Sequence, residues 1–160
     1  RRRRAPRQPG PAWQRAGRLE DLADRPGGWQ ALGFVHEGVD ACAWRREGRW
    51  VAFARSCPHA GIDLLDSDIE DLGNGPIISC PAHAYLFDAA TGACLWDAAR
   101  GRPPVTRALA TFEVLEQAGE VFVRPREPPT PCAPADWDQE RADALQLAMV
   151  DCVLARKFPS

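Results

Sequence analysis

The 160-residue chain is 45% hydrophobic and 26% charged, ordinary globular proportions that allow one domain with a modest core. No run of about 18 apolar residues occurs, which excludes a helical membrane span from this sequence. The net charge of −2 hides a split: residues 1–18 carry seven Arg and no acid, leaving −9 on residues 19–160, an acidic body that disfavours nucleic acid. Such a body suits docking to a basic partner, or simply keeps the protein in solution.

Residues 1–11, rich in Arg, Pro and Gln, read as a disordered basic tail. The chain opens on Arg rather than Met, so a fragment, a processed form or an incomplete gene model is expected. The Arg-rich start is similar to the end of an organelle transit peptide, although it has no Ser; a solvated tail is the alternative. An intracellular, cytoplasmic location is favoured over an organelle.

Fifteen Pro and thirteen Gly favour turns and strands over a helical bundle. A short strand is expected at residues 13–15, a turn at Pro26-Gly27-Gly28 and a strand over 29–35. Residues 39–44 alternate as a further strand, Arg45-Arg46-Glu47-Gly48 turns, and residues 49–55 return as its partner and deliver the chain to Cys57. Residues 60–76 read as a long loop in which Asp63, Asp66, Asp68, Glu70 and Asp71 are solvated, since their order does not fit a calcium loop. Strands over 76–80, 85–88 and 94–96 follow, then a rigid loop at Gly101-Arg102-Pro103-Pro104 and a final hairpin of residues 110–115 and 120–124. Residues 125–135 form a Pro-rich linker, and residues 136–157 a C-terminal helix with Asp136 and Gln139 in capping-box positions.

Two ligand-spaced clusters dominate: Cys57-Pro58-His59 and Cys80-Pro81-Ala82-His83, with twenty residues between them. Each supplies one thiolate and one imidazole, together a complete four-donor set. Zinc accepts two Cys and two His, but zinc modules more often keep the two Cys in one turn and the two His in another. Mixed donors in each turn suit a [2Fe–2S] centre in which two His replace two Cys on one iron. Neutral imidazoles make such a cluster less negative, so an added electron is less opposed. Pro58 and Pro81 stiffen the turns, and Gly61 allows backbone that a side chain would hinder.

The run Cys57-Pro58-His59-Ala60-Gly61, then Cys80-Pro81-Ala82-His83, then Phe87-Asp88 with Thr91-Gly92, resembles the Rieske ferredoxins. Gly101-Arg102-Pro103-Pro104 and the Gly119-Glu120-Val121-Phe122-Val123 hairpin look like that family's Pro loop and closing hairpin, so the likeness covers about residues 12–124. Residues 67–73 are similar to soluble eukaryotic Rieske Fe–S domain-containing proteins.

The resemblance implies an all-β fold, an antiparallel sandwich or barrel-like base carrying a small cluster-binding subdomain at about residues 56–105. It implies one [2Fe–2S] cluster per chain, with Cys57 and Cys80 on the inner iron and His59 and His83 on the outer, exposed iron. Ala60, Pro81, Ala82, Ala84 and Pro104 would ring that edge. The loop-bridging disulfide of high-potential relatives has no counterpart, because Ile62 and Ala82 hold those positions. Tyr85 and Phe87 stand where those relatives place hydroxyl donors, which implies a low-to-middle potential.

The implied function is one-electron carriage between a flavin reductase and an oxygenase or other acceptor. The alternatives are a small accessory subunit of a larger redox enzyme, or a redox-sensing interaction protein. No phosphate loop, nucleophile elbow or catalytic carboxylate pair is present, so no catalytic residue is assigned. Cys42, Cys94, Cys132 and Cys152 read as small buried hydrophobes, and His36 as an exposed polar residue.

Overall fold

The computed structural model describes residues 9–58, 60–71, 75–82, 85–96 and 108–127. The first eight residues of the expected tail, His59, His83, the loop at 101–104, most of the linker, the C-terminal helix, Cys132 and Cys152 lie outside the described residues.

The strands are β1 (Gln14–Arg18), β2 (Ala23–Arg25), β3 (Trp29–His36), β4 (Val39–Arg46), β5 (Arg49–Ala54), β6 (Asp68–Asp71), β7 (Pro76–Ser79), β8 (Leu86–Asp88), β9 (Cys94–Trp96), β10 (Thr111–Gln117) and β11 (Glu120–Pro125). A seven-stranded antiparallel sheet has the order β1-β11-β10-β5-β4-β3-β2, and a second sheet has the order β6-β7-β8-β9. The larger sheet curls on itself. Gln14 at the start of β1 donates its side-chain N–H to the Val35 carbonyl at 2.6 Å, so the first strand in the order reaches across to β3. The fold is thus the expected all-β base with a smaller sheet attached.

The central strands β3, β4 and β5 bury side chains on both faces because each face meets a different core. Leu32, Phe34, Ala41, Ala43 and Ala52 pack with Phe112, Val121 and Val123 inside the curl. Their alternate neighbours Ala31, Cys42, Trp44, Val51 and Phe53 face the other way, towards Leu64, Ile69, Ile78, Phe87 and Leu109. The second core joins the two sheets, and Trp44, Phe53, Phe87 and Ile78 within it are among the fully buried side chains.

Three sequence expectations change. Residues 60–76 are not one loop: Leu64–Asp66 forms a 3-10 turn, and β6 pairs with β7 in the register Asp68↔Ser79 and Ile69↔Ile78. A strand with one fully apolar position between acids leaves a weak local signal, and Ile69 is held by tertiary burial at 2% exposure. The acids are also partnered rather than merely solvated. Asp63 pairs with Arg55, Asp66 with Arg25 at 3.3 Å and Asp71 with Arg49 at 3.7 Å. Finally, β2 was not expected; it pairs with β3 through Ala23↔Ala31, and β1 extends to Arg18 with a bulge between Arg15 and Gly17.

Candidate metal centre

The first candidate ligand loop grows directly from β5. Ala54 N–H donates to the Ala110 carbonyl and Arg55 N–H to the Asp40 carbonyl, each at 2.9 Å, which ties the strand end to β4 and to the entry of β10. Beyond it Ser56 bridges Asp63. Cys57 N–H donates to the Ile62 carbonyl at 2.8 Å, Gly61 N–H to the Cys57 carbonyl at 2.8 Å, and Leu64 N–H to the Arg55 carbonyl at 2.6 Å. Residues 55–58 and 60–64 therefore close on each other through a short ladder. Gly61 has φ of +71°, a conformation that a residue with a Cβ adopts only at a cost.

The base of this loop is clamped by an ion pair. Arg55 donates Nε–H to Asp63 Oδ1 at 3.1 Å and Nη2–H to Oδ2 at 2.5 Å, a bidentate geometry. Asp63 Oδ1 also accepts the Leu65 N–H at 2.9 Å, capping the 3-10 turn. The hydrogen bond from Arg55 holds the Asp63 carboxyl below the usual carboxylate range, and the Leu65 amide adds to it.

The second candidate loop follows β7. Cys80 N–H donates to the Tyr85 carbonyl at 2.9 Å, closing the turn before β8. The far end of β8 is fixed by Asp88, whose Oδ1 accepts the Ala90 N–H at 2.8 Å and the Thr91 N–H at 2.9 Å. Gly92 N–H donates to the Asp88 carbonyl at 2.8 Å. These contacts explain the Phe87-Asp88 and Thr91-Gly92 motif in structural terms.

Both thiols are withdrawn from water. Cys57 is 2% and Cys80 1% exposed, and both belong to the core cluster of Leu64, Tyr85, Phe87 and Leu109. Tyr85 stacks on Phe87 with ring centroids 6.4 Å apart. Next to the thiols, Ala60, Pro81 and Ala82 are exposed. Among the described residues no group of three metal-ligating side chains occurs, and both imidazoles of the expected donor set lie outside them. Two buried soft donors on loops that share one core fit a thiolate-bound iron centre, and each loop has a His in its sequence within three positions of its Cys.

Other sequence candidates separate from the site. Cys42 is fully buried as expected, and burial pushes its thiol up to about 12. Trp44 Nε1–H donates to its sulfur at 3.3 Å. Cys94 is only partly buried, because it stands in the short strand β9 at the sheet edge. His36 is a correction: its side chain is 16% exposed, not a free surface group. Its Nδ1 lies 2.7 Å from Gln14 Oε1 and its ring meets Phe112 edge-on, contacts made only because β1 crosses to the end of β3. The Arg55–Asp63 clamp was missed, although an Arg two positions before the candidate donor Cys57 and an Asp six after it were visible in the sequence. A cleft of about 380 Å³ beside Trp29, Arg46, Arg49 and Trp50 sits at the start of β5, the end opposite Cys57.

A model of the Rieske [2Fe-2S] domain family matches residues 12–123. The chain belongs to this family. As a Rieske domain it carries one [2Fe–2S] cluster. The ferredoxin of carbazole 1,9a-dioxygenase from Nocardioides aromaticivorans IC177 is similar in fold, with 24% identity over 72% of this chain and 99% of that one and a TM-score of 0.54. A complex of reduced oxygenase and oxidized ferredoxin in carbazole 1,9a-dioxygenase contains a chain that is also 24% identical, over 72% of this Rieske protein and 94% of that chain, with a TM-score of 0.52. A 2-oxoquinoline 8-monooxygenase component is 27% identical over 74% of this chain, which spans only 27% of that larger chain, with a TM-score of 0.57. No curated protein matches the chain. Among the described residues no helix is long and apolar enough to cross a membrane.

Proposed function

We propose that this Rieske domain is a one-electron carrier in which Cys57 and Cys80 bind one iron of the cluster and His59 and His83 the other. The burial of Cys57 and Cys80 in one core cluster, at 2% and 1% exposure, carries this reading. When bound, a cluster of this ligation takes up and releases a single electron. Leu64, Phe87 and Leu109 exclude water from the thiols, and the loop hydrogen bonds hold them on a preformed support. The exposed Ala60, Pro81 and Ala82 form a small-residue rim that lets a partner approach closely.

The donor and acceptor would be redox proteins: a flavin reductase on one side, an oxygenase or another acceptor on the other. Support comes from the near whole-length correspondence with the carbazole dioxygenase ferredoxin, which covers 99% of that chain. An acidic body suits a basic docking face on such partners. A cytoplasmic setting goes with this reading, because thiols are kept reduced there.

A potential towards the lower part of the Rieske range, roughly −150 to +300 mV, belongs to the same proposal. Phe87, which is 1% exposed and has no donor, offers nothing to stabilise the extra negative charge of a reduced cluster. Electron paramagnetic resonance of the dithionite-reduced protein tests the whole reading. The expected result is a rhombic signal with low average g; a colourless protein holding zinc, or the signal of an all-Cys cluster, would overturn it.

A further inference from the structure

We propose that the Arg55–Asp63 pair is a positioning element that braces the Cys57 loop and keeps the charge beside the cluster balanced. The inference rests on the ligand reading above. It starts from where the pair sits. Arg55 is two residues before Cys57, and Asp63 directly follows Ile62, whose carbonyl accepts the Cys57 amide at 2.8 Å. The bidentate contact, at 3.1 and 2.5 Å, therefore spans the neck of the loop in parallel with the Ser56–Asp63 bridge.

Arg55 is also held from behind, at its backbone N–H and beside its guanidinium. Arg55 N–H is bound to the Asp40 carbonyl at 2.9 Å, and Nη1 lies over Gly33, where a Cβ would meet it at 3.8 Å. Asp63 is fixed a second time through the Leu65 N–H at 2.9 Å. A half-exposed ion pair contributes little to global stability. The mechanical consequence of this one falls on the loop segment between its partners, seven residues from Ser56 to Ile62 in the sequence.

The electrostatic consequence follows from charge. Reduction adds one negative charge to the cluster. A paired Arg and Asp present it with a dipole, whereas either partner alone presents a full charge in a partly desolvated setting. Asp63→Asn leaves the Arg55 cation uncompensated and favours the reduced state. Arg55→Gln leaves the Asp63 anion and disfavours it. The two substitutions act oppositely on the potential, although both remove the same clamp. A purely structural role would move both in the same direction.

The experiment is protein-film voltammetry with electron paramagnetic resonance on the cluster-loaded chain of residues 1–160 and its D63N, R55Q, D63E and R55K variants. The expected result is an upward shift for D63N and a downward shift for R55Q. Each is roughly threefold to tenfold in the electron-exchange equilibrium, at about 59 mV per tenfold. D63E and R55K, which keep the charges, are expected within twofold of the parent. Shifts of the same sign, or none, with the Rieske signal intact would overturn the proposal and leave the ligand reading standing. A parent protein without that signal would overturn both. Should R55Q not retain its cluster, D63N against D63E decides: an upward shift confined to D63N supports the balance of charge, and its absence removes it.

Discussion

Gly92 and Leu109 meet backbone to backbone. Leu109 N–H donates to the Gly92 carbonyl at 2.7 Å, and a Cβ built on Gly92 would lie 1.9 Å from the Leu109 oxygen. Gly92 also has φ of +80°. This contact joins the turn after β8 to the chain entering β10, so it links the smaller sheet to the base. Gly92→Ala is expected to lower stability by at least about 1–3 kcal/mol from the left-handed backbone alone, with the clash added to that. Urea unfolding checks it: the midpoint falls while the slope stays unchanged. An unaltered midpoint would mean that the junction does not hold the two sheets together.

Hairpin tips offer the opposite kind of change. Glu37 (φ 49°) and Glu47 (φ 51°) each precede a glycine with positive φ, Gly38 and Gly48. Two-residue turns with both central residues left-handed favour Asn-Gly, and Glu carries a steric cost there. Glu37→Asn and Glu47→Asn are each expected to stabilise the fold by up to about 1 kcal/mol. Thermal unfolding would show a raised midpoint, with the two gains additive because the turns lie at opposite ends of β4.

Ile69 tests whether the acidic segment is a true strand. It is 2% exposed and sits opposite Ile78 in the β6–β7 ladder. Ile69→Ala should cost about 2–5 kcal/mol, the range for emptying a core site that collapses incompletely. Amide exchange should also speed up at residues 68–71. A loss below about 1 kcal/mol would fit a surface loop instead of a buried strand.

Cys42 should resist chemistry that accessible thiols undergo. Its thiol is raised from an ordinary 9.0 to about 12 by burial, so the reactive thiolate is scarce at pH 8. Iodoacetamide at pH 8 followed by peptide mass analysis should find Cys42 unmodified in the native protein. The raised value also has a sign in stability. The unfolded thiol ionises first, so this contribution is complete below that ordinary value and is lost as pH climbs from there to about 12. Cys42→Ala should flatten the alkaline decline in stability; an identical alkaline profile would contradict this assignment.

The β3–β4–β5 meander could be read from the chain because strand alternation and Glu-Gly turns are local signals, and the register Ala41↔Ala54 and Trp44↔Val51 follows from them. The strand β6 could not, since Asp68, Glu70 and Asp71 outweigh Ile69 in any short window. His36 read as a surface residue because its covering group, Gln14, comes from 22 residues earlier. Asp63 read as one of several solvated acids because its partner Arg55 lies eight positions back across the Cys57 loop.

Donor chemistry belongs to individual side chains and to turns of two or three residues. The candidate donors Cys57, Cys80, His59 and His83 could therefore be named from the sequence alone, and the all-β character of the chain was legible there too. Burial of Cys57 and Cys80 in a common core, the clamp across the first loop and the Gly92–Leu109 junction were not. Each arises where segments distant in sequence are brought against one another by two sheets, and no local pattern encodes which segments will meet.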